Sequence, residues 1–244
     1  MRTVVVTGAT SGIGEASVRT FLENDYLVVA IGRRIDRLQA LVTEFGATKV
    51  HSINRDVRDF QGLAAAFNEI PERFQSIRCL VNNAGLLVGE NDVIQSDTND
   101  WDTMIDTNIK GVLHAIKAVL PFLLQGGGGH IINVASIAAY YPYMGGNVYA
   151  ASKAFVHQLS LNLKTEFVAK NIRVSCVSPG KTSSEFFLVK FKGDEKKAKA
   201  AFKSVMPLEP VDVANAIYWV ASQPQHININ VLELMPSNQP FGLG

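Results

Sequence analysis

Short apolar, β-branched runs alternate with longer stretches of helical periodicity from one end of the chain to the other. The runs Thr3–Thr7, Leu27–Ile31, Lys49–Ile53, Cys79–Asn82, Gly129–Val134, Arg173–Val177 and Val231–Leu234 predict strands. They are nearly continuously apolar, as strands covered on both faces are. Between them the periodicity predicts helices near 12–24, 34–45, 60–69, 100–124, 149–169 and 211–222. Strand and helix in strict alternation imply an α/β fold, a doubly wound parallel sheet of about seven strands with helices on both faces. No Pro/Ser-rich linker or charge block interrupts the rhythm, so residues 1–244 read as one dinucleotide-binding and catalytic domain, with Gly126–Gly129 a turn into a strand. The stretch 181–206 breaks the pattern with KFKGDEKKAKAAFKSVM (190–206). Such a charge run is usually a solvated helix face. The alternative is a substrate lid, because insertions beyond a strand's carboxyl end are where open α/β sheets bind ligands.

Composition adds mainly exclusions. Hydrophobic residues make up 47% and charged residues 18%, and the formal net charge is +1, which argues against disorder and against a nucleic-acid-binding surface. The N-terminal apolar run passes straight into glycines and reads as a strand, not as a signal peptide. Uninterrupted apolar runs fall far short of the roughly 18 residues a bilayer requires. Cys79 and Cys176 sit in apolar segments without CxxC spacing, and the five histidines are scattered. Buried thiols in a cytoplasmic protein, with no metal, follow.

Directly after the first strand stands Thr7-Gly8-Ala9-Thr10-Ser11-Gly12-Ile13-Gly14, leading into a helix. Glycines there let the chain turn sharply and bring backbone N–H groups against a pyrophosphate at a helix N-terminus. The second strand ends in Arg33-Arg34, where an NAD-binding protein usually carries an acid for the ribose hydroxyls. Two guanidinium groups suit a 2′-phosphate and favour NADP, against the alternative that they merely open a solvated helix. Asp56 and Val57 follow the third strand, placed to accept from an adenine amine and to pack on its ring. Asn82-Asn83-Ala84-Gly85 follows the fourth. Its asparagines can bond neighbouring strand ends, and Gly85 leaves room for a cofactor.

Tyr149 and Lys153 lie at i and i+4 and share a helix face. A free tyrosine, with a pKa of about 10, is a poor base. A neighbouring ammonium is expected to lower it toward the range useful for acid–base catalysis. Ser136 ends the fifth strand, where its hydroxyl can donate to a carbonyl oxygen gaining charge. Asn108, within the helix at 100–124, is a candidate for holding a proton-relay water, and Lys153 for holding the nicotinamide ribose.

TGATSGIG, NNAG, Asn108, Ser136 and YAASK, in this order over essentially the whole chain, resemble the short-chain dehydrogenase/reductase family. The resemblance implies a Rossmann-type fold, a Ser136–Tyr149–Lys153–Asn108 tetrad, and a homo-oligomer, a tetramer being favoured. It also implies that Pro179, Gly180 and Thr182 border the nicotinamide. WDTMIDTNIKG (101–111), PYMGGNVYAASKAF (142–155), FKGDEKKAKAAF (191–202) and YWVASQPQHININVLELMP (218–236) resemble a narrower group, the NADP-dependent 3-hydroxy acid dehydrogenases. Members of that group oxidise serine, allo-threonine and related acids and reduce malonic semialdehyde. The chain departs from it at Lys181, where the group has leucine, and at Lys190, where it has arginine; a lysine is a point charge and not a bidentate fork. The expected reaction is hydride transfer between NADP and the hydroxyl of a small 3-hydroxy acid, with a basic residue of 181–192 reading the carboxylate. A broad NADPH-dependent carbonyl reductase and a non-catalytic NADP-binding sensor are the alternatives.

Overall fold

In the computed structural model, which describes residues 1–241, the chain runs β1 (Thr3–Thr7), α1 (Gly12–Glu23), β2 (Leu27–Gly32), α2 (Ile35–Phe45), β3 (Val50–Asn54), α3 (Phe60–Asn68) and β4 (Ile77–Asn82). It continues through α4 (Thr98–Ile105), α5 (Gly111–Gln125), β5 (Gly129–Val134), α6 (Asn147–Glu166), β6 (Ile172–Pro179), α7 (Phe186–Lys190), α8 (Glu195–Ala200), α9 (Pro210–Ser222) and β7 (Val231–Leu234). The seven strands pair in parallel in the order β3-β2-β1-β4-β5-β6-β7. The order reverses between β1 and β4, and at such a switch point the loops leaving the two strand ends diverge and open a crevice.

Alternation along each strand divides the core into two layers. Val5, Val29, Ile53, Leu80, Ile131 and Val174 face one side with Leu63 of α3 and Val119 of α5. Val4, Val6, Val28, Ala30, Val81 and Ile132 face the other with Phe21 of α1 and Ile217 of α9. At roughly 1.5–3 kcal/mol for each fully buried aliphatic side chain, these layers hold the strand ends in register. Helix starts are set by side chains: Asp59 accepts from Gly62 N at 2.9 Å, and Glu209 forms a capping box with Asp212 ahead of Pro210.

Two expected elements differ. The helix at 100–124 is α4 and α5 joined by a π-helical turn, Asp106–Lys110, which swings Asn108 into the interior. Together Thr98–Gln125 is long and apolar enough by count to cross a bilayer, which the uninterrupted runs did not show. Half of its most apolar window is buried inside this fold. The helix at 149–169 starts at Asn147 and ends at Glu166, before Asn171 at φ 55°, a left-handed stop that a short polar side chain tolerates.

Candidate active site

The turn from β1 into α1 is possible only with glycine. Gly8 and Gly12 take positive φ, and a Cβ on Gly14 would lie 2.1 Å from the Gly8 carbonyl oxygen. Across the switch point, the backbone N–H groups of Asn83 and Ala84 both donate to Thr7 Oγ1 at 3.0 Å, and Asn83 Nδ2 donates to Thr7 O at 3.0 Å. The two loops are therefore stitched together under one cavity of about 780 Å³. Its walls run from Gly8 and Ile13 past Arg33 to Ser136, Tyr149 and Lys153. An elongated cleft with a bare glycine floor at a helix N-terminus and a guanidinium near one end fits a dinucleotide phosphate.

The adenosine-side residues line this cavity but differ in freedom. Arg33 is 62% exposed and among the described residues pairs only with Asp56, at 3.7 Å. Arg34, expected as a second free fork, is engaged: it donates to Thr10 Oγ1 and Thr10 O at 3.2 Å, to Ser11 Oγ at 2.6 Å and to Glu185 at 2.7 Å. Asp56, the expected acceptor for an adenine amine, already accepts from the Arg58 side chain at 2.8 Å and from its backbone N–H at 2.9 Å. Burial pushes its carboxyl up, but the Arg58 bonds and Arg33 outweigh this and hold it below the usual range. Val57 is buried beside it.

At the other end Tyr149, Ser136 and Lys153 gather at the carboxyl end of β5, all largely buried. Ser136 Oγ accepts from Ala138 N at 3.1 Å, which leaves its proton to donate into the cavity. Lys153 Nζ donates to Val134 O at 2.9 Å and lies 5.9 Å from the Tyr149 ring centre. The expected lowering of Tyr149 is reversed: burial pushes its phenol up to about 12, with Ser136 acting in the opposite direction. The same burial brings Lys153 down to about 8, so the amine that was to stabilise a phenolate has weakened hold on its own charge.

Asn108 is fully buried and its side chain is consumed by protein. Its Oδ1 accepts from Leu86 N at 2.9 Å, while Nδ2 donates to Leu86 O at 2.8 Å and to Ser152 Oγ at 3.0 Å. The amide thus clamps the loop after β4 to α6, with both Nδ2 hydrogens spent on protein acceptors. Gly85 fits between these groups, since a Cβ there would lie 3.2 Å from Lys153 Nζ and 3.3 Å from Asn108 Oδ1.

Residues 179–206 roof the cavity. Pro179, Gly180 and Thr182 line it, with Thr182 Oγ1 donating to Gly180 O at 3.1 Å. Phe186 packs on Tyr149 with ring centres 5.6 Å apart. Lys181 Nζ is turned onto Ala201 O at 3.2 Å, and Lys192 pairs with Asp100 at 2.8 Å. Lys190 instead lines the cavity over the Phe187 and Phe191 rings, and burial, augmented by Lys181 and opposed by Glu90, lowers its pKa. Sequence reasoning missed Arg37, Glu185, Phe186 and Phe187. Arg37 was findable one helical turn beyond Arg34, and Glu185 as the lone acid between 181 and 193. Among the described residues no His, Cys, Asp or Glu cluster could hold a metal ion.

A doubly wound sheet with a glycine turn at its first strand and a Ser–Tyr–Lys group across the switch point defines a dinucleotide-binding fold equipped for proton transfer. The chain matches the short chain dehydrogenase family over residues 2–194 and belongs to it. It is 45% identical over 239 residues to the serine 3-dehydrogenase of Agrobacterium fabrum, covering 98% of this chain and 95% of that one. To the NADP-dependent 3-hydroxy acid dehydrogenase YdfG of Salmonella typhi it is 45% identical, covering 98% and 96%. The closed form of a serine dehydrogenase complexed with NADP+ superposes with a TM-score of 0.96 at 43% identity, over 98% of this chain and 96% of that one.

Proposed function

We propose that this protein transfers a hydride reversibly between NADP and the 3-hydroxyl of a small 3-hydroxy acid of the serine, allo-threonine and 3-hydroxypropionate class. The observation that carries this reading is one cavity holding the Ser136–Tyr149–Lys153 group together with Lys190, the basic side chain of 181–192 that lines it without a protein hydrogen-bond acceptor among the described residues. The relatives named for this chemistry support it.

Bound NADP supplies or accepts the hydride. Gly8, Gly12, Ile13 and Gly14 seat the pyrophosphate, with Thr10 and Ser11 shaping the turn. Arg33, backed by Arg34, meets the 2′-phosphate, Asp56, Val57, Asn83 and Ala84 border the adenosine half, and Gly85 leaves room for the cofactor beside Lys153. Pro179, Gly180 and Thr182 border the nicotinamide. Tyr149 gives its phenolic proton to the oxygen that becomes the hydroxyl in reduction and takes it back in oxidation. Ser136 donates to that same oxygen, and stabilising its developing charge is the larger electrostatic contribution. Lys153, once charged, lowers the cost of the phenolate. Lys190 reads the substrate carboxylate.

A panel of kcat/KM values for L-serine and 3-hydroxypropionate against a neutral secondary alcohol, with NADP and NAD both offered, tests the reading. The acids are preferred by at least tenfold, a preference that falls in Lys190→Met. Equal values for acid and alcohol would establish a general carbonyl reductase, which the Phe186–Phe187 wall would suit. We place the chain in the cytoplasm, where the buried free thiols of Cys79 and Cys176 stay reduced, and as a homo-oligomer, a tetramer, which exposed Leu113 and Phe155 on α5 and α6 and exposed Trp219 and Val231 on α9 and β7 support; light scattering reads the assembly directly.

A further inference from the structure

The segment after β6 is tied to the far half of the sheet through one carboxylate. Glu185 Oε2 accepts from Arg34 Nη1 and Oε1 from Arg37 Nη2, both at 2.7 Å. Both arginines also donate to the phosphate turn: Arg34 to Thr10 and Ser11, and Arg37 to Thr10 O at 3.0 Å. Next to Glu185, Ser184 lies directly over the turn, since a Cβ on Gly12 would meet Ser184 Cβ at 3.1 Å. On its other flank the segment is held by Lys190 O accepting from Gly89 N at 3.0 Å and by ion pairs Lys192–Asp100 and Lys197–Glu90.

From this we infer that Glu185 and Arg37 are positioning residues for the cofactor: their ion pair, shared with Arg34, latches the 181–206 lid onto the phosphate turn, so that NADP is released only after the latch opens. The division of labour among the arginines follows from their bonds. Arg34 has donors committed to the turn and to Glu185, whereas Arg33, with only the long Asp56 contact among the described residues, is left for the 2′-phosphate. A carboxylate placed to grip two guanidinium groups forms a network, the arrangement in which partly exposed ion pairs do contribute.

The inference rests on the proposed cofactor site but not on the substrate. Stopped-flow release of NADPH, followed by fluorescence from the preformed binary complex, tests it with Glu185→Gln and Arg37→Gln. Each variant speeds release by roughly two- to fivefold, the range expected for partly exposed ion pairs. The double variant falls short of the product of the two single effects, because the Glu185–Arg37 pair is lost in each. NADH release accelerates as well, since Glu185 and Arg37 hold the lid through the turn and not through the 2′-phosphate. Trypsin cuts the lid at 192–199 faster in the binary complex of each variant, and Glu185→Asp restores part of the protection. Raising the salt concentration narrows the gap between wild type and variants. Unchanged release, or unchanged lid proteolysis, overturns the inference. So does slower release of NADPH alone, which would make Glu185 a competitor of the 2′-phosphate. Wild-type protein that binds no NADPH would instead refute the cofactor assignment, and the lid proteolysis of the free protein would still judge the latch.

Discussion

Replacing Asn108 by alanine separates architecture from chemistry at this site. The substitution removes three hydrogen bonds, two to the Leu86 peptide groups and one to Ser152 Oγ. Ser152 keeps its bond to Tyr149 O at 2.7 Å, so the unsatisfied groups are the Leu86 N–H and C=O. A stranded peptide group costs about 1–2 kcal/mol, which gives about 2–4 kcal/mol in total. For a chain of this length each kcal/mol lowers Tm by about 2–4 °C, so the expected drop is roughly 4–16 °C. Circular dichroism melts of the free protein measure it, and kcat measured well below the melt falls as well, because the loop after β4 and α6 lose their common anchor. A melting temperature within about 2 °C of wild type would refute the clamp and return Asn108 to a purely catalytic role.

Tyr149→Phe keeps the ring contact with Phe186 and binds NADPH, while kcat falls roughly 10²- to 10⁴-fold, the span of general acid–base catalysis; single-turnover kinetics at wild-type rate would overturn the assignment. Arg33→Asp removes the unengaged guanidinium and lowers the ratio of kcat/KM for NADP over NAD by roughly ten- to a hundredfold, as expected for losing a charge-assisted contact of about 1.5–3 kcal/mol; an unchanged ratio would show that the engaged Arg34 carries selectivity. Gly14→Ala drives a Cβ into the Gly8 carbonyl oxygen and abolishes NADPH binding in isothermal titration, whereas retained affinity would mean the turn adjusts. Burial and then the Arg173 guanidinium hold His130 well below its ordinary value. In the unfolded chain it titrates near about 6.5, so the folded state binds fewer protons and its contribution, complete above that pH, is lost as pH falls. Urea midpoints between pH 7 and 5 show this slope in the wild type and a smaller one in His130→Gln.

Those features whose cause is local were legible in the sequence. The inner strands are apolar because they are covered on both faces, and Tyr149 and Lys153 share a helix face by spacing alone. The π-turn was not legible, because Asp106-Thr107-Asn108 contains no helix breaker, and its driving force is a clamp to residues in other elements. The sign of the Tyr149 shift depends on how deeply the helix face is buried, which spacing does not reveal. Arg34 was recognised as a charge but not as an engaged one, since its carboxylate partner lies 151 residues further along the chain.

That separation has a consequence for synthesis. The phosphate turn and both arginines lie within the first 37 residues, and β1, β2 and β3 are complete by Asn54. Glu185 follows β6, and so emerges from the ribosome only after most of the sheet has been made. A nascent chain therefore owns a nucleotide-binding turn long before it owns the fastening, and firm capture of the nucleotide belongs to a late stage of folding, when Glu185 first reaches the turn.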